Sequence, residues 1–259
     1  MNRIFLNFGF FTITWYALFI VLGMIIGSII VLNNKKVQQI MNNDEIYDYF
    51  FYLIIFSILG ARLWYVLFSL PYYVTHLFEI IAIWNGGLAI HGGILAGLSY
   101  TIFYAKKKKF NFLILTDAIV PALLLGQALG RWGNFINQEA HGPETTYNFL
   151  KNTLHLPNFI VQGMNIAGSY YQPTFLYESL WNLFGLLLII IIFRKIWKSN
   201  NGYLTAFYMI WYGFIRFFIE ILRTDALMLF NIKIAQLTSF MMVICGIGLF
   251  IILLKKKHN

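Results

Sequence analysis

Arg62, Asp117, Arg131, Glu178, Arg216 and Glu220 all lie within, or at the ends of, long apolar runs. On insertion scales a charge at such a place costs roughly 3 kcal/mol, so each of these groups needs a partner or a ligand. Tyr212, Arg216, Glu220 and Arg223 are spaced i, i+4, i+8 and i+11, which puts them on one stripe of a helix. Glu220 can reach both arginines of that stripe, so one guanidinium is left in excess and the stripe attracts an anion. A planar guanidinium grips phosphate through two parallel N–H bonds, and does so best where water is excluded. The simpler alternative is that these groups pair only with one another and fix helix contacts.

The densest polar cluster is Gly130-Arg131-Trp132-Gly133-Asn134-Phe135-Ile136-Asn137-Gln138-Glu139-Ala140-His141-Gly142. Arg131 and Asn134 share a face if the helix continues through them, and the glycines let backbone N–H groups come close to a ligand. Two arginines from different helices that face one cavity describe a phosphate clamp. His91-Gly92-Gly93 opens another apolar run. A histidine there can accept a proton from a substrate, or it can simply cap the helix. Trp15-Tyr16 fits an interfacial aromatic belt. The single cysteine, Cys245, sits among Met, Val, Ile and Gly as an apolar filler, and it excludes a disulfide framework or a cysteine-only metal site.

The elements that must position these residues are membrane helices. Of 259 residues, 59% are apolar and 11% charged, well below the roughly 25% charged residues of soluble domains. Mean hydropathy is +0.69. Seven stretches approach the ~20 apolar residues that span a bilayer: 12–32, 49–70, 88–105, 112–132, 173–194, 203–222 and 235–254. The third and fourth are the least apolar. The first is too long for a signal peptide and lacks a small-residue cleavage site, so it reads as a retained helix. The expected fold is therefore all-α and polytopic, with residues 1–259 forming a single membrane domain.

The net charge of +9 does not indicate nucleic acid, because its sources are short clusters between apolar runs. Lys35, Lys36, Lys106 to Lys109, Arg194, Lys195, Lys198 and Lys255 to Lys257 fall on one side of the membrane. Only Arg3, Lys151, Arg223 and Lys233 fall on the other. Seven spans with this bias place the N-terminus outside and the C-terminus in the cytoplasm. The long loop 134–172 then lies outside, an extracytoplasmic region too small for a core of its own. Gly23 with Gly27, Gly93 with Gly97 and Gly126 with Gly130 are small-residue pairs that let helices approach.

The sequence resembles the prolipoprotein diacylglyceryl transferase family. The strongest match is the run Gly130 to Glu139 continuing to Gly142. Trp15-Tyr16, Ala61-Arg62, His91-Gly92-Gly93, Pro173 with Tyr177-Glu178, and Tyr212-Gly213 through Arg216, Glu220 and Arg223 follow the family's order across nearly the whole chain. Ala17, Ala61 and the segment 173–178 depart locally from the usual pattern.

The resemblance implies a bacterial plasma-membrane enzyme that passes a diacylglyceryl group from phosphatidylglycerol to the lipobox cysteine thiol of a prolipoprotein signal peptide. It implies catalysis by Arg131 and Arg216, with His91 as base. Substrate binding would fall to Tyr16, Arg62, Asn134, Glu139, Gly142, Tyr212, Glu220 and Arg223. The expected partners are the lipid, the signal peptide and the surrounding membrane, and no metal or organic cofactor is implied. A transporter of lipids or small anions is the main rival reading, though the chain has no inverted repeat of the kind transporters show. A structural membrane subunit, its polar residues serving only to hold helices together, is the other.

Overall fold

Seven long helices run through the described residues of the computed structural model, which are 3–9, 12–193, 195, 201–224, 228–229 and 232–258. They are α1 (Trp15–Leu32), α2 (Asn43–Phe68), α3 (Ile90–Lys108), α4 (Phe112–Asn137), α5 (Thr174–Leu188), α6 (Tyr203–Leu222) and α7 (Ile234–His258). A π-helical turn, Ile189–Phe193, lengthens α5. Six of the seven are long and apolar enough to cross a membrane, so the chain is a multi-pass membrane protein. The remaining one, α3, is the third expected span. It is 19 residues long, but His91, its glycines and Lys106 to Lys108 lower its hydropathy. Arg194 and Lys198, counted among the basic loop residues, lie outside the described residues, as does the Lys257 side chain.

Among the described residues strands are short and lie before the first helix or between later ones. Among the described residues β1 (Ile4–Asn7) pairs with β2 (Thr12–Thr14), and β6 (Met228–Leu229) pairs with β7 (Ile232–Lys233). Between α4 and α5, β3 (Glu144–Thr145), β4 (Asn165–Ile166) and β5 (Ser169–Tyr171) form a sheet in the order β3-β5-β4. The expected loop 134–172 begins later than its sequence suggests, because α4 continues to Asn137. Its apolar cluster of Leu150, Ile160, Val161 and Met164 is completed by Phe135 of α4 and Phe175 of α5. A segment too small for its own core thus borrows one from the helix ends.

The chain divides into two compact units, one of Leu32–Leu115 and one of Met1–Val31 with Thr116–Asn259. In the first, α2 opens with a capping box: Asn42 Oδ1 accepts from the Glu45 N–H at 2.8 Å, and Glu45 Oε2 accepts from the Asn42 N–H at 3.0 Å. Gly60 of α2 and Gly92 of α3 touch backbone to backbone, and a Cβ on Gly92 would collide with the Gly60 carbonyl. Between the same helices Tyr49 and Thr101 share a buried hydroxyl hydrogen bond of 2.8 Å.

In the second unit α1 lies close on α4, where a Cβ on Gly23 would come within 3.2 Å of the Gly126 Cα. Ser179 Oγ of α5 donates to the Ala128 carbonyl of α4 at 3.0 Å. Trp181 of α5 and Trp211 of α6 stack at 4.2 Å, and each indole N–H donates to the other residue's carbonyl. Asp117 accepts from the Gly202 N–H at 2.6 Å and the Thr205 N–H at 2.8 Å, so a carboxylate of α4 caps the start of α6. These contacts set the three helices that carry the site.

Candidate active site

Arg131 near the end of α4, Glu178 in the second turn of α5 and Arg216 late in α6 converge on one point. Glu178 is 1% exposed, and its two oxygens serve two helices. Oε1 stands 2.9 Å from Nη2 of Arg131, and Oε2 stands 3.4 Å from Nη1 of Arg216. Arg216 Nη2 then meets Glu220 Oε2 at 2.9 Å, and Arg223 Nε approaches the same oxygen at 4.0 Å. The result is an alternating chain of guanidinium groups and carboxylates: Arg131, Glu178, Arg216, Glu220 and Arg223. Buried ions are tolerable only when paired, and Glu178 pairs two of them at once.

The continuation of α4 past Arg131 organises the outer rim. Arg131 Nη1 donates to Asn134 Oδ1 at 2.9 Å. Asn134 Nδ2 in turn donates to Glu139 Oε1 at 3.0 Å, and Asn137 Nδ2 donates to the same oxygen at 3.1 Å. Beyond the helix, Gln138 and Ala140 adopt left-handed backbone with φ of 54° and 56°. Such strain in residues with a side chain persists only where surrounding structure holds it. Here Thr174 Oγ1 donates to the Ala140 carbonyl at 2.6 Å, and Gln138 Nε2 donates to the Gly163 carbonyl at 3.1 Å. Ala140, Thr174 and Phe175 therefore wall the recess into which Arg131 and Arg216 project.

Tyr16, Asn134, Glu139, Tyr212, Glu220 and Arg223 gather around these arginines within the same unit. The Tyr212 hydroxyl lies beside the Arg131 guanidinium. Tyr16 packs on Gly133, where a Cβ would lie 2.5 Å from its ring. That contact, rather than exposed backbone N–H groups, is what the glycine after Trp132 provides. Gly142 also has a packing reason: its N–H donates to the Gln172 carbonyl at 3.0 Å, and a Cβ would sit 2.9 Å from the Gln172 side chain. Glu139 is exposed and holds amides, so its charge is largely solvated.

Arg62 and His91 belong to the other unit. Arg62 is 6% exposed and donates to the carbonyls of Ile80 at 2.8 Å, Gly86 at 2.8 Å and Gly87 at 3.0 Å, and also to that of Glu79. Four of its five N–H groups are thereby spent on the connection between α2 and α3, so at most one remains for a ligand. His91 is the second residue of α3. The helix has no side-chain cap at Ala89, and the His91 ring has no hydrogen-bond partner among the described residues.

Glu178 and Lys233 are the positions of this cluster least legible in the sequence. Glu178 drew notice as a carboxylate inside a span, yet its bridging role needs two other helices to be placed. Lys233, read as a topology residue, donates to the carbonyls of Glu220 at 2.7 Å, Ile221 at 3.1 Å and Arg223 at 3.0 Å. It closes the end of α6 beside the ion chain.

Fold and site together define a polytopic membrane protein with a buried, arginine-rich ion cluster at the ends of three helices. A family model described as prolipoprotein diacylglyceryl transferase matches residues 3–252. A phosphatidylglycerol–prolipoprotein diacylglyceryl transferase of Listeria welshimeri is 43% identical over 251 residues, covering 97% of this chain and 89% of the relative. One of Streptococcus pneumoniae is 45% identical over 260 residues, covering 100% and 96%. The chain belongs to the prolipoprotein diacylglyceryl transferase family.

Proposed function

We propose that this protein transfers the diacylglyceryl group of phosphatidylglycerol to the cysteine thiol of a prolipoprotein lipobox, with Arg131 and Arg216 holding the lipid phosphate. The observation that carries the reading is the bridge of Glu178 between these two arginines, which fixes two guanidinium planes from different helices beside one recess. In the reaction the sulfur attacks the terminal glyceryl carbon. A C–S bond forms, the C–O bond to phosphate breaks, and glycerol phosphate departs. The phosphodiester's single negative charge becomes that of a monoester, close to two. Preorganised donors aimed at such developing charge are the largest single source of catalysis in many enzymes.

Glu178 and Glu220 keep the guanidinium planes fixed and lessen their mutual repulsion before the lipid arrives. Asn134 and Tyr212 fix the Arg131 plane from the sides, and Tyr16 and Arg223 complete the headgroup contacts. The thiol proton must leave before or during attack, and His91, its ring unpartnered, is the proposed base. The nucleophile arrives with the protein substrate, which accounts for the enzyme's own cysteine being a bystander. The lysine clusters favour a cytoplasmic C-terminus and an outer N-terminus, which puts the α4, α5 and α6 ends at the outer leaflet.

The test is the mass of a lipobox peptide after incubation with purified protein and phosphatidylglycerol. A diacylglyceryl adduct on the free thiol is expected. Transfer to a peptide whose thiol is blocked would overturn the thiol-nucleophile mechanism.

A further inference from the structure

One turn back along α4 and α6 from the ion chain, the same two helices meet again through neutral polar groups. Gln127 lies four residues before Arg131, and Tyr208 lies four before Tyr212. Gln127 Nε2 donates to the Tyr208 hydroxyl at 2.7 Å. The rings of Tyr208 and Tyr212 are parallel, with centroids 5.6 Å apart and 1° between planes. The helices thus carry two rungs, Arg131 with Tyr212 and Gln127 with Tyr208, separated by a four-residue rise of about 6 Å.

The inner rung is unsaturated. The Tyr208 hydroxyl accepts from Gln127, and its own proton has no acceptor among the described residues. Gln127 Oε1 is buried without a hydrogen-bond partner. Exchanging the amide oxygen and nitrogen lets Tyr208 donate to Gln127 but leaves the amide N–H groups unused, so a free donor persists in either assignment. Within a membrane an unpaired donor is costly, because no bulk water can satisfy it. Beside this rung α4 presents Gly130, where an added Cβ would meet nothing within 4 Å. Gly130 therefore does not serve helix approach as its pairing with Gly126 suggested; it leaves open space at its own position on α4.

We propose that the Gln127–Tyr208 rung binds an ester carbonyl of the lipid's diacylglyceryl group, making Tyr208 a specificity-determining residue. The inference rests on the transferase reading above. With the phosphate on Arg131 and Arg216, the next oxygens toward the acyl chains are the ester carbonyls, one glycerol backbone away. That span is close to one helical turn. A carbonyl is a neutral acceptor, and the inner rung offers a neutral donor. The open space at Gly130 leaves room for part of the lipid beside α4.

The experiment compares diacyl phosphatidylglycerol with its dialkyl ether analogue, which keeps headgroup and glycerol but has no carbonyl. Two quantities are read for each lipid: KM in transfer to a lipobox peptide, and binding to the purified protein without peptide. The parent protein should prefer the diacyl lipid about tenfold in both, the worth of one donor left unpaired. Tyr208→Phe keeps the stacked ring, and should weaken the diacyl lipid about tenfold while leaving the ether lipid unchanged. Gln127→Leu should collapse the preference in the same way. Equal weakening of both lipids by Tyr208→Phe, or no preference in the parent protein, would overturn the proposal. Absence of transfer with the binding preference intact would overturn the transferase reading and leave the carbonyl contact standing.

Discussion

Arg131 Nη2 and Glu178 Oε1 stand 2.9 Å apart, joining the end of one membrane helix to the start of the next across the connection that holds the three-stranded sheet. The other Glu178 oxygen goes to Arg216, so a single carboxylate sets the spacing of two guanidinium groups from different helices. A phosphate that approaches this pair finds two positive planes already fixed.

Glu178→Gln should therefore damage both fold and activity. It removes the charge that compensates two buried guanidinium groups, and breaking a buried pair costs roughly 3–5 kcal/mol. Thermal unfolding in detergent should fall by several degrees, and transfer should drop at least about a hundredfold. Unchanged unfolding and turnover would show that the bridge is incidental.

Asp117 separates stability from chemistry. It caps α6 through the Gly202 and Thr205 N–H groups, far along α4 from Arg131. Asp117→Ala should cost roughly 1–2 kcal/mol of stability, in the usual range for a lost cap. Turnover measured well below the unfolding temperature should change less than about twofold, since Asp117 lies fourteen residues before Arg131 on α4.

Arg62 holds the connection after α2 by its carbonyls. Arg62→Leu leaves four acceptors without their donor, so the segment 79–87 should open more readily. Amide exchange at Ala82 and Gly86, whose N–H groups donate to the Glu79 and Ile83 carbonyls, should accelerate at least about tenfold. Exchange at the parent rate would mean that the backbone there is held by other contacts.

His91→Gln tests the base. Loss of a general base lowers turnover by about 10²–10⁴-fold, with little effect on lipid binding. Transfer at the parent rate would remove His91 from the reaction and shift the search to a group supplied by the substrate.

Much of this arrangement is legible in the chain because charge inside apolar sequence is expensive and so conspicuous. Arg216, Glu220 and Arg223 could be placed together from helical spacing alone, since their contacts lie within one helix. Arg131 to Asn134 required only that α4 continue, as it does. Glu178 could be marked as costly but not assigned, because its partners sit on two other helices and no local rule crosses between helices. Arg62 looked equally costly, yet its partners are backbone carbonyls of a connection, and carbonyls leave no trace in residue types. Gly133 and Gly142 looked like backbone exposed to a ligand. Each instead admits a neighbour, Tyr16 and Gln172, whose position depends on tertiary packing.

In the proposed reaction Arg131 and Arg216 act as planar, two-pronged phosphate donors rather than as charges. The direct measurement is transfer to a lipobox peptide, followed by mass, with Arg131→Lys and Arg216→Lys in a protein shown to be folded. Each lysine keeps the charge and loses the fork, so each should lower turnover at least about a hundredfold while the parent protein forms the diacylglyceryl adduct. Lysine variants that transfer at near the parent rate would show that charge alone suffices and that the fork is not needed.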